Sequence, residues 1–216
     1  MSPAPSLSRR AALAAVAALG IAPLQAAASA DPWSRGAVFP PDLRLIDGEG
    51  RRFAAAIWAR GVVVLRVGGL WCPPCVAERP SAEAFAAAHP AVPVFLIAAA
   101  APGRTVDHAF EQELADARRR GRPLAGILRR DPDGPRAPPP SVVPHTLVLR
   151  DGVAIESLSG RQSYEGRRES MSEAALSWRA YVEAALICAG GPLVRRAVLP
   201  EAERLAARRA ADACRT

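Results

Sequence analysis

Two cysteines separated by two prolines, Cys72 and Cys75, lie between a predicted strand and a predicted helix. The apolar, mostly β-branched residues 62–65 that precede them are typical of a strand buried on both faces of a sheet. Because proline is tolerated in the first turn of a helix, Pro73 and Pro74 indicate that a helix begins at the cysteine pair. A C-x-x-C sequence in this position is typical of redox-active sites, so it constrains both the fold and the chemistry.

The chemistry of such a pair depends on the thiolate, which is the reactive form of cysteine. The unpaired N–H groups and the positive end of the dipole at a helix N-terminus lower the pKa of a thiol there. We therefore expect Cys72 to be the exposed nucleophile and Cys75 to be the more buried, resolving thiol. A plain disulfide and half of a zinc site are the alternatives; a structural zinc ion needs about four ligands, and the sequence has no second C-x-x-C.

Segments with strand-like and helix-like patterns alternate along the chain, which predicts an α/β domain built of packed layers. The predicted strands are residues 43–46, 52–53, 62–65, 94–97, 146–149 and 153–155, the first two forming a hairpin. The predicted helices are residues 72–89 with Pro80 inside, 105–121, 171–185 and 200–214. Prolines concentrated in residues 131–141 predict a loop.

The first thirty residues differ from the rest of the chain. Arg9 and Arg10 precede an uncharged, alanine-rich run that ends in Ala28-Ser29-Ala30, a small-x-small cleavage pattern. This predicts a signal peptide over residues 1–30, with the arginine pair indicating the twin-arginine export route. An uncleaved membrane anchor is the alternative, since the run is about long enough to cross a bilayer. The predicted division is then a signal peptide (1–30), a domain (31–185) and a C-terminal helical extension (186–216).

The charge of the chain does not point to a nucleic-acid partner. The 216 residues include 28 basic and 21 acidic ones, which gives a formal charge of +7. All the basic residues are arginines, and they are dispersed among acids rather than clustered in a patch. We interpret the basic run 118–122 as a solvated helix end, not as a phosphate site. Residues 118–140 would be the surface of a non-catalytic binding module, which is one alternative function.

Three stretches of the chain contain specific motifs, and these motifs occur in a defined order. They are Phe39-Pro40-Pro41-Asp42-Leu43-Arg44-Leu45 with Asp47-Gly48, Trp71-Cys72-Pro73-Pro74-Cys75 with Glu78 and Pro80, and Val143-Pro144 with Thr146-Leu147-Val148-Leu149 and Asp151-Gly152. The set resembles the exported TlpA/ResA-like thiol–disulfide oxidoreductases of the thioredoxin superfamily, over about residues 39–185. The resemblance implies a thioredoxin-like fold with an N-terminal β-hairpin, a central mixed sheet flanked by helices and a C-terminal helical extension.

The resemblance also implies the parts of an active site. The Val143–Pro144 peptide bond would be cis and would face the cysteine pair. The backbone of Val143 would then pair with the substrate chain by strand addition, with Trp71, Pro73 and Pro74 as supports beside the sulfurs. The implied protein is a periplasmic enzyme that exchanges its disulfide with protein thiols and needs no organic cofactor. The implied direction is reduction, as in cytochrome c or copper-site maturation, with a membrane protein as electron donor and no membrane anchor after cleavage.

The chain departs from the resemblance six positions before Cys72, where Arg66 replaces an acidic or amide residue. A guanidinium near the cysteines would favour the thiolate and make the couple more oxidising. A position of Arg66 on a polar edge of the sheet is the equal alternative. We interpret Glu78 first as an ordinary acid in the first turn of the helix, and second as a residue that tunes the cysteines.

His145 directly follows the predicted cis proline, which would bring it near Cys72. A copper or zinc site formed with Cys72 and Cys75 is one interpretation, and it makes a copper-handling protein a further alternative function. A histidine that faces solvent or touches substrate is the favoured interpretation, because the sequence offers no evident fourth ligand.

The two remaining cysteines, Cys188 and Cys214, lie beyond the region of resemblance. An even number of cysteines in an exported chain predicts a structural disulfide between them. A second redox pair and free thiols are the alternatives.

Overall fold

A computed structural model describes residues 31–53, 57–123, 125–135, 139–160 and 171–188. Its elements in chain order are β1 (Leu45–Asp47), β2 (Arg52–Phe53), β3 (Val62–Gly68), α1 (Pro73–Ala88), β4 (Val94–Ala98), α2 (Val106–Arg119), β5 (Ile127–Arg130), β6 (His145–Arg150), β7 (Val153–Ser159) and α3 (Met171–Cys188). The seven described strands form one mixed sheet in the order β2-β1-β5-β4-β3-β6-β7. This architecture confirms the predicted thioredoxin-like α/β fold, including the N-terminal hairpin of β1 and β2.

Within the described residues, each predicted strand and helix corresponds to an observed one, and β5 is a further strand that was not predicted. This strand has two apolar residues followed by two arginines, Ile127-Leu128-Arg129-Arg130, so it is too short and too polar to show a strand pattern. It pairs in parallel with β4 and antiparallel with β1, and it therefore joins the hairpin to the rest of the sheet. The predicted signal peptide and the helix predicted over residues 200–214 lie outside the described residues.

β3 is the strand on which the rest of the sheet is organised. It pairs in parallel with β4 and antiparallel with β6, with Val67 opposite His145. Its side chains alternate between the two faces: Val63, Leu65 and Val67 belong to one core cluster, while Val64 belongs to another. The predicted strand buried on both faces is thus confirmed.

The two faces of the sheet are covered in different ways. Trp33, Phe39 and Leu43, from the irregular N-terminal segment, pack with Trp58 on the face of Leu65. On the other face, Phe85 of α1 and Trp178 and Val182 of α3 pack against Val64 and Val148. Phe110, Leu114 and Ala117 of α2 form a third cluster with Ala98 and Ile127.

Buried ion pairs join α1 to α2. Arg79 of α1 contacts Glu113 at 2.9 Å and Asp116 at 2.6 Å, and all three residues are buried. Asp116 also contacts Arg119, Arg120 and Arg122. Acidic partners therefore occupy most of the basic run 118–122, as expected for the end of a helix.

No helix in the described part of the chain combines the length and the apolar character needed to cross a membrane.

Candidate functional site

The cysteine pair lies at the N-terminus of α1 and is oxidised. Cys72 and Cys75 form a disulfide with their Cα atoms 5.2 Å apart. Cys72 is the N-cap, and its Sγ accepts a hydrogen bond from the backbone N–H of Cys75 at 3.3 Å. Pro73 and Pro74 occupy the first helical positions, where a missing N–H costs no hydrogen bond. The prediction that Cys72 is exposed and Cys75 more buried is wrong for this oxidised form. Cys72 is 4% exposed and Cys75 is 5% exposed.

Two glycines at the end of β3 leave room for the pair and for Trp71. A Cβ at Gly68 would lie 2.8 Å from the Sγ of Cys75, and a Cβ at Gly69 would lie 2.7 Å from the indole nitrogen of Trp71. The Trp71 indole N–H donates to the carbonyl of Ala99 at 2.8 Å. These glycines were not predicted to belong to the site, although glycine directly before the motif is a signal of close approach.

The Val143–Pro144 peptide bond is cis. It directly precedes β6, whose first residue, His145, pairs with Val67. The bond therefore lies beside the carboxyl end of β3, next to Gly68, which touches Cys75. The fold thus brings the cis bond and the cysteine pair to the same edge of the sheet.

Arg66 of β3 and Glu78 of α1 form a buried ion pair. The Arg66 guanidinium lies 3.3 Å from the Glu78 carboxylate and 5.1 Å from the centre of the Trp178 ring. The interpretation of Arg66 as a residue on a polar edge is therefore wrong, because Arg66 lies in the central strand between the sheet and the helices. Within the described part of the chain, Arg66 Nε and Glu78 Oε1 are buried without a hydrogen-bond partner.

Glu78 is not the ordinary first-turn acid that we favoured from the sequence. It is 1% exposed, one turn after Cys75, and faces the sheet instead of solvent. Burial raises its pKa to about 7, against the opposing effect of the positive charge of Arg66. A carboxyl group beside the cysteines therefore changes its charge near neutral pH.

Both ring nitrogens of His145 lie within hydrogen-bond distance of oxygen atoms of other residues. Its Nε2 lies 3.1 Å from the Trp33 carbonyl, its Nδ1 lies 3.0 Å from the Ser159 hydroxyl, and Ser157 is 3.3 Å from Nε2. Burial lowers its pKa, although the hydrogen bond to the Trp33 carbonyl acts in the opposite direction. The solvent-facing interpretation is wrong, since His145 is buried. The described ranges contain no group of three His, Cys, Asp or Glu residues able to hold a metal ion.

Cys188 is the last residue of α3. Cys214 lies outside the described residues, so the Cys188–Cys214 disulfide stays a prediction.

No protein-family model and no curated protein sequence matches this chain. Among solved structures it is similar to a protein of Sinorhizobium meliloti 1021, at 19% identity over 80% of this chain and 91% of that one, with a TM-score of 0.48. It is also similar to a thiol:disulfide interchange protein from Chlorobium tepidum, at 14% identity over 74% and 99%, with a TM-score of 0.43. A third is a secreted disulfide oxidoreductase of Mycobacterium tuberculosis, at 18% identity over 62% and 94%, with a TM-score of 0.38.

Proposed function

We propose that the protein is a thiol–disulfide oxidoreductase that exchanges its Cys72–Cys75 disulfide with protein thiols. The observation that carries the proposal is the disulfide at the N-terminus of α1, with its first cysteine as the N-cap. In the reducing direction, the Cys72 thiolate attacks one sulfur of a substrate disulfide and releases the other as a thiolate. The Cys75 thiol then loses its proton and attacks the Cys72 sulfur of this mixed disulfide. The Cys72–Cys75 bond forms, the bond from Cys72 to the substrate breaks, and the second substrate sulfur leaves as a thiolate that gains a proton.

The positions of the two sulfurs support this division of roles. Cys72 lies where the free N–H groups of the helix stabilise a thiolate. The sulfur of Cys75 lies close to Gly68, on the sheet side. Val143 and Pro144 are the substrate platform: the main chain of Val143 pairs with the segment around the target cysteine, and Trp71 supports it.

Arg66 and Glu78 tune the potential of the pair. The positive charge of Arg66 favours the thiolate, so it stabilises the reduced form and makes the couple more oxidising. Arg66→Asn is therefore expected to lower the reduction potential, and Arg150→Asn, an exposed position at the far end of β6, is the matched control. An equal potential in the Arg66→Asn variant and the unchanged protein would remove Arg66 from this role.

The sequence supports the proposals about export and about the electron donor. Residues 1–30 act as a signal peptide, and the enzyme works in the periplasm, where a membrane protein supplies electrons. By its resemblance to TlpA/ResA-like proteins, the direction is reduction of protein disulfides for cytochrome c or metal-site maturation, without an organic cofactor.

A redox titration in defined thiol buffers tests the proposal. Alkylation followed by mass analysis reports each cysteine separately, and the Cys72→Ser and Cys75→Ser variants are the controls. A potential of about −270 mV, as in thioredoxin, is expected for a reductant that is recharged by a donor. A potential of about −120 mV would mean an oxidant and would overturn the direction. If the cysteine pair does not exchange with protein thiols, a non-catalytic binding module is favoured. The same holds if the Cys72→Ser variant keeps the function of the protein.

A further inference from the structure

His145 is a buried histidine that the proposed reaction does not use. It is the first residue of β6 and directly follows the cis Val143–Pro144 bond. Its exposed fraction is 4%, whereas histidine is intermediate in burial in most folded proteins. A ring with two polar nitrogens costs free energy in a protein core unless the nitrogens are hydrogen-bonded. The burial of His145 therefore requires specific partners on both nitrogens.

The hydrogen bonds of the ring determine which nitrogen carries the proton. Nε2 lies 3.1 Å from the Trp33 carbonyl oxygen, and a carbonyl oxygen only accepts hydrogen bonds. The Nε2–H group of the neutral ring therefore donates to Trp33, and Nδ1 accepts from the Ser159 hydroxyl at 3.0 Å. The Ser157 hydroxyl donates to the same carbonyl at 2.6 Å. The ring is thus held on both sides in one tautomer.

The partners of His145 come from segments that are distant in the sequence. Ser159 ends β7 and lies opposite His145 in the antiparallel pair of β6 and β7, so the two side chains are on the same face of the sheet. Trp33 belongs to the irregular N-terminal segment, and its ring packs edge-on against the His145 ring with the centroids 5.6 Å apart. The imidazole therefore connects the start of β6 to the end of β7 and to the N-terminal segment.

The cis bond depends on its neighbours for its orientation. Pro144 has no N–H group, so its main chain is held through its carbonyl, which accepts from the Gly160 N–H at 2.7 Å. His145 is the next residue, and its ring adds two hydrogen bonds one position from the cis bond. The orientation of Val143 therefore depends on how the His145 side chain is held.

We propose that His145 is a positioning residue, whose ring holds the cis Val143–Pro144 bond in the orientation that main-chain pairing with the substrate requires. The inference rests on the proposed function, in which the main chain of Val143 pairs with the segment around the target cysteine. Because His145 is buried, it acts through the backbone of Val143 and not on the reacting sulfurs. A disulfide without a peptide backbone gains nothing from this pairing, so His145 affects peptide substrates and leaves small disulfides unaffected.

Two substrates with the same leaving group separate positioning from the reactivity of the sulfur. The full chain carrying Cys75→Ser is reduced and mixed with a peptide whose single cysteine is bound to a 2-thiopyridyl group, or with dipyridyl disulfide. The Cys72 thiolate attacks one substrate sulfur, a new disulfide forms at Cys72, and the substrate disulfide breaks. The leaving sulfur takes the electron pair, and the group gains a proton as 2-thiopyridone, whose absorbance gives the rate. Peptide mapping locates the new disulfide, and the protein with both Cys72→Ser and Cys75→Ser gives the background from other cysteines.

The measured quantity is the rate with the peptide divided by the rate with dipyridyl disulfide for the same protein. His145→Phe keeps a ring but removes both hydrogen bonds, and we expect the ratio to fall about tenfold, which corresponds to about 1.4 kcal/mol. His145→Gln keeps an N–H group for the Trp33 carbonyl and is expected to recover part of the ratio. His108→Phe is the matched control, since His108 is exposed on α2; it leaves the ratio unchanged.

Two further measurements carry the test if the His145 variants fail to fold. Ser159→Ala, at an exposed position, removes the partner of Nδ1 and is expected to lower the ratio about threefold. A peptide methylated on the amide nitrogens beside its cysteine cannot donate main-chain hydrogen bonds there. We expect a low ratio for this peptide, and we expect Ser159→Ala not to lower it further.

Three outcomes separate the inference from the proposed function. An unchanged ratio in His145→Phe and Ser159→Ala, with normal reaction at Cys72, would overturn the positioning role and leave the proposed function standing. Equally low ratios in His145→Phe and His145→Gln would show that the bond to Trp33 does not position the cis bond, and would overturn the inference as well. No disulfide at Cys72 with either substrate would overturn the proposed function itself.

Discussion

Gly68 and Arg66 lie two residues apart on the face of β3 that meets α1, and they contribute in opposite ways. Because Gly68 has no side chain, the Cys75 sulfur can lie close to the backbone of β3. At Arg66 a long, charged side chain fills the space between the sheet, Glu78 and Trp178. One strand therefore supplies both the space for the disulfide and a charge close to it.

Gly68→Ala is expected to destabilise the oxidised protein by about 1–3 kcal/mol, because the added methyl group would lie 2.8 Å from Cys75 Sγ. The measurement is urea unfolding of the oxidised form. The matched control is Gly126→Ala, whose Cβ would meet only the Val94 carbonyl, at 3.6 Å, and we expect a change within about 0.5 kcal/mol. Equal unfolding free energies for the two variants would contradict the close contact at Gly68.

Glu78 makes the stability of the protein depend on pH. Its pKa rises from an ordinary value of 4.5 to about 7 on folding, so the folded protein holds a proton between these values that the unfolded chain has lost. The stability that Glu78 contributes is complete below pH 4.5 and falls by roughly 3 kcal/mol as the pH rises through 7.

Glu78→Gln is expected to remove this fall, because glutamine is uncharged at every pH and binds no titrating proton. The free energy of unfolding is measured from pH 4.5 to 8 for the variant and the unchanged protein. Glu111→Gln, at an exposed position of α2, is the control and keeps the original dependence. If the free energies of unfolding of Glu78→Gln and the unchanged protein differ by the same amount at every pH, the pH-dependent role of Glu78 is contradicted.

At the scale of elements, α1 is the helix whose placement decides the site. Phe85 packs against the sheet and α3, while Arg79 reaches sideways to Glu113 and Asp116 of α2. The cysteine pair is at the first turn of this helix, so contacts two to four turns away set where the disulfide lies. Helix propensity alone would not hold α1 and its disulfide in place, since Pro80 lies inside the helix.

Arg79→Ala is expected to destabilise the protein by about 3–5 kcal/mol, because it leaves the buried Glu113 carboxylate without its partner. Chemical unfolding measures the loss. Arg118→Ala, at an exposed position of α2, is the matched control and is expected to change stability by less than about 0.5 kcal/mol. A small effect of Arg79→Ala would show that packing alone holds the two helices together.

At the scale of the whole molecule, the two faces of the sheet are covered by different kinds of structure. Helices cover one face, while an irregular segment containing Trp33 and Phe39 covers the other. Trp33 is 2% exposed, its ring lies 5.6 Å from the rings of Phe39 and His145, and its carbonyl accepts a hydrogen bond from Ser157. The segment therefore closes the core where a further helix would otherwise be needed.

Trp33→Ala is expected to cost about 3–5 kcal/mol of stability, since it removes a large side chain from this core. The midpoint of urea unfolding measures the loss. Val38→Ala is the control in the same segment, because Val38 is 68% exposed and its truncation is expected to change stability by less than about 0.5 kcal/mol. Similar midpoints for both variants would mean that the segment is not part of the core.

Local patterns in the chain were enough to predict the elements that build the site. Residues 62–65 could be recognised as a buried strand, and Pro73 and Pro74 as the first turn of a helix, because these properties depend on neighbouring residues. The position of the cysteine pair between them follows from the same local rules. The cis bond at Val143–Pro144 was implied by the resemblance and is present.

The environments of the charged and polar side chains were decided by contacts between distant segments. His145 and Trp33 are separated by 112 positions, and Arg66 and Glu78 by 12 positions across a strand and a helix. The same holds for β5, which becomes a strand by pairing with β1 and β4. The hydrophobic pattern of the sequence does not reveal such pairings, because burial and ionisation depend on which segments pack together in the folded chain. For that reason the sequence could place the reactive sulfurs, while the burial of Arg66 and Glu78 was decided only by the tertiary structure.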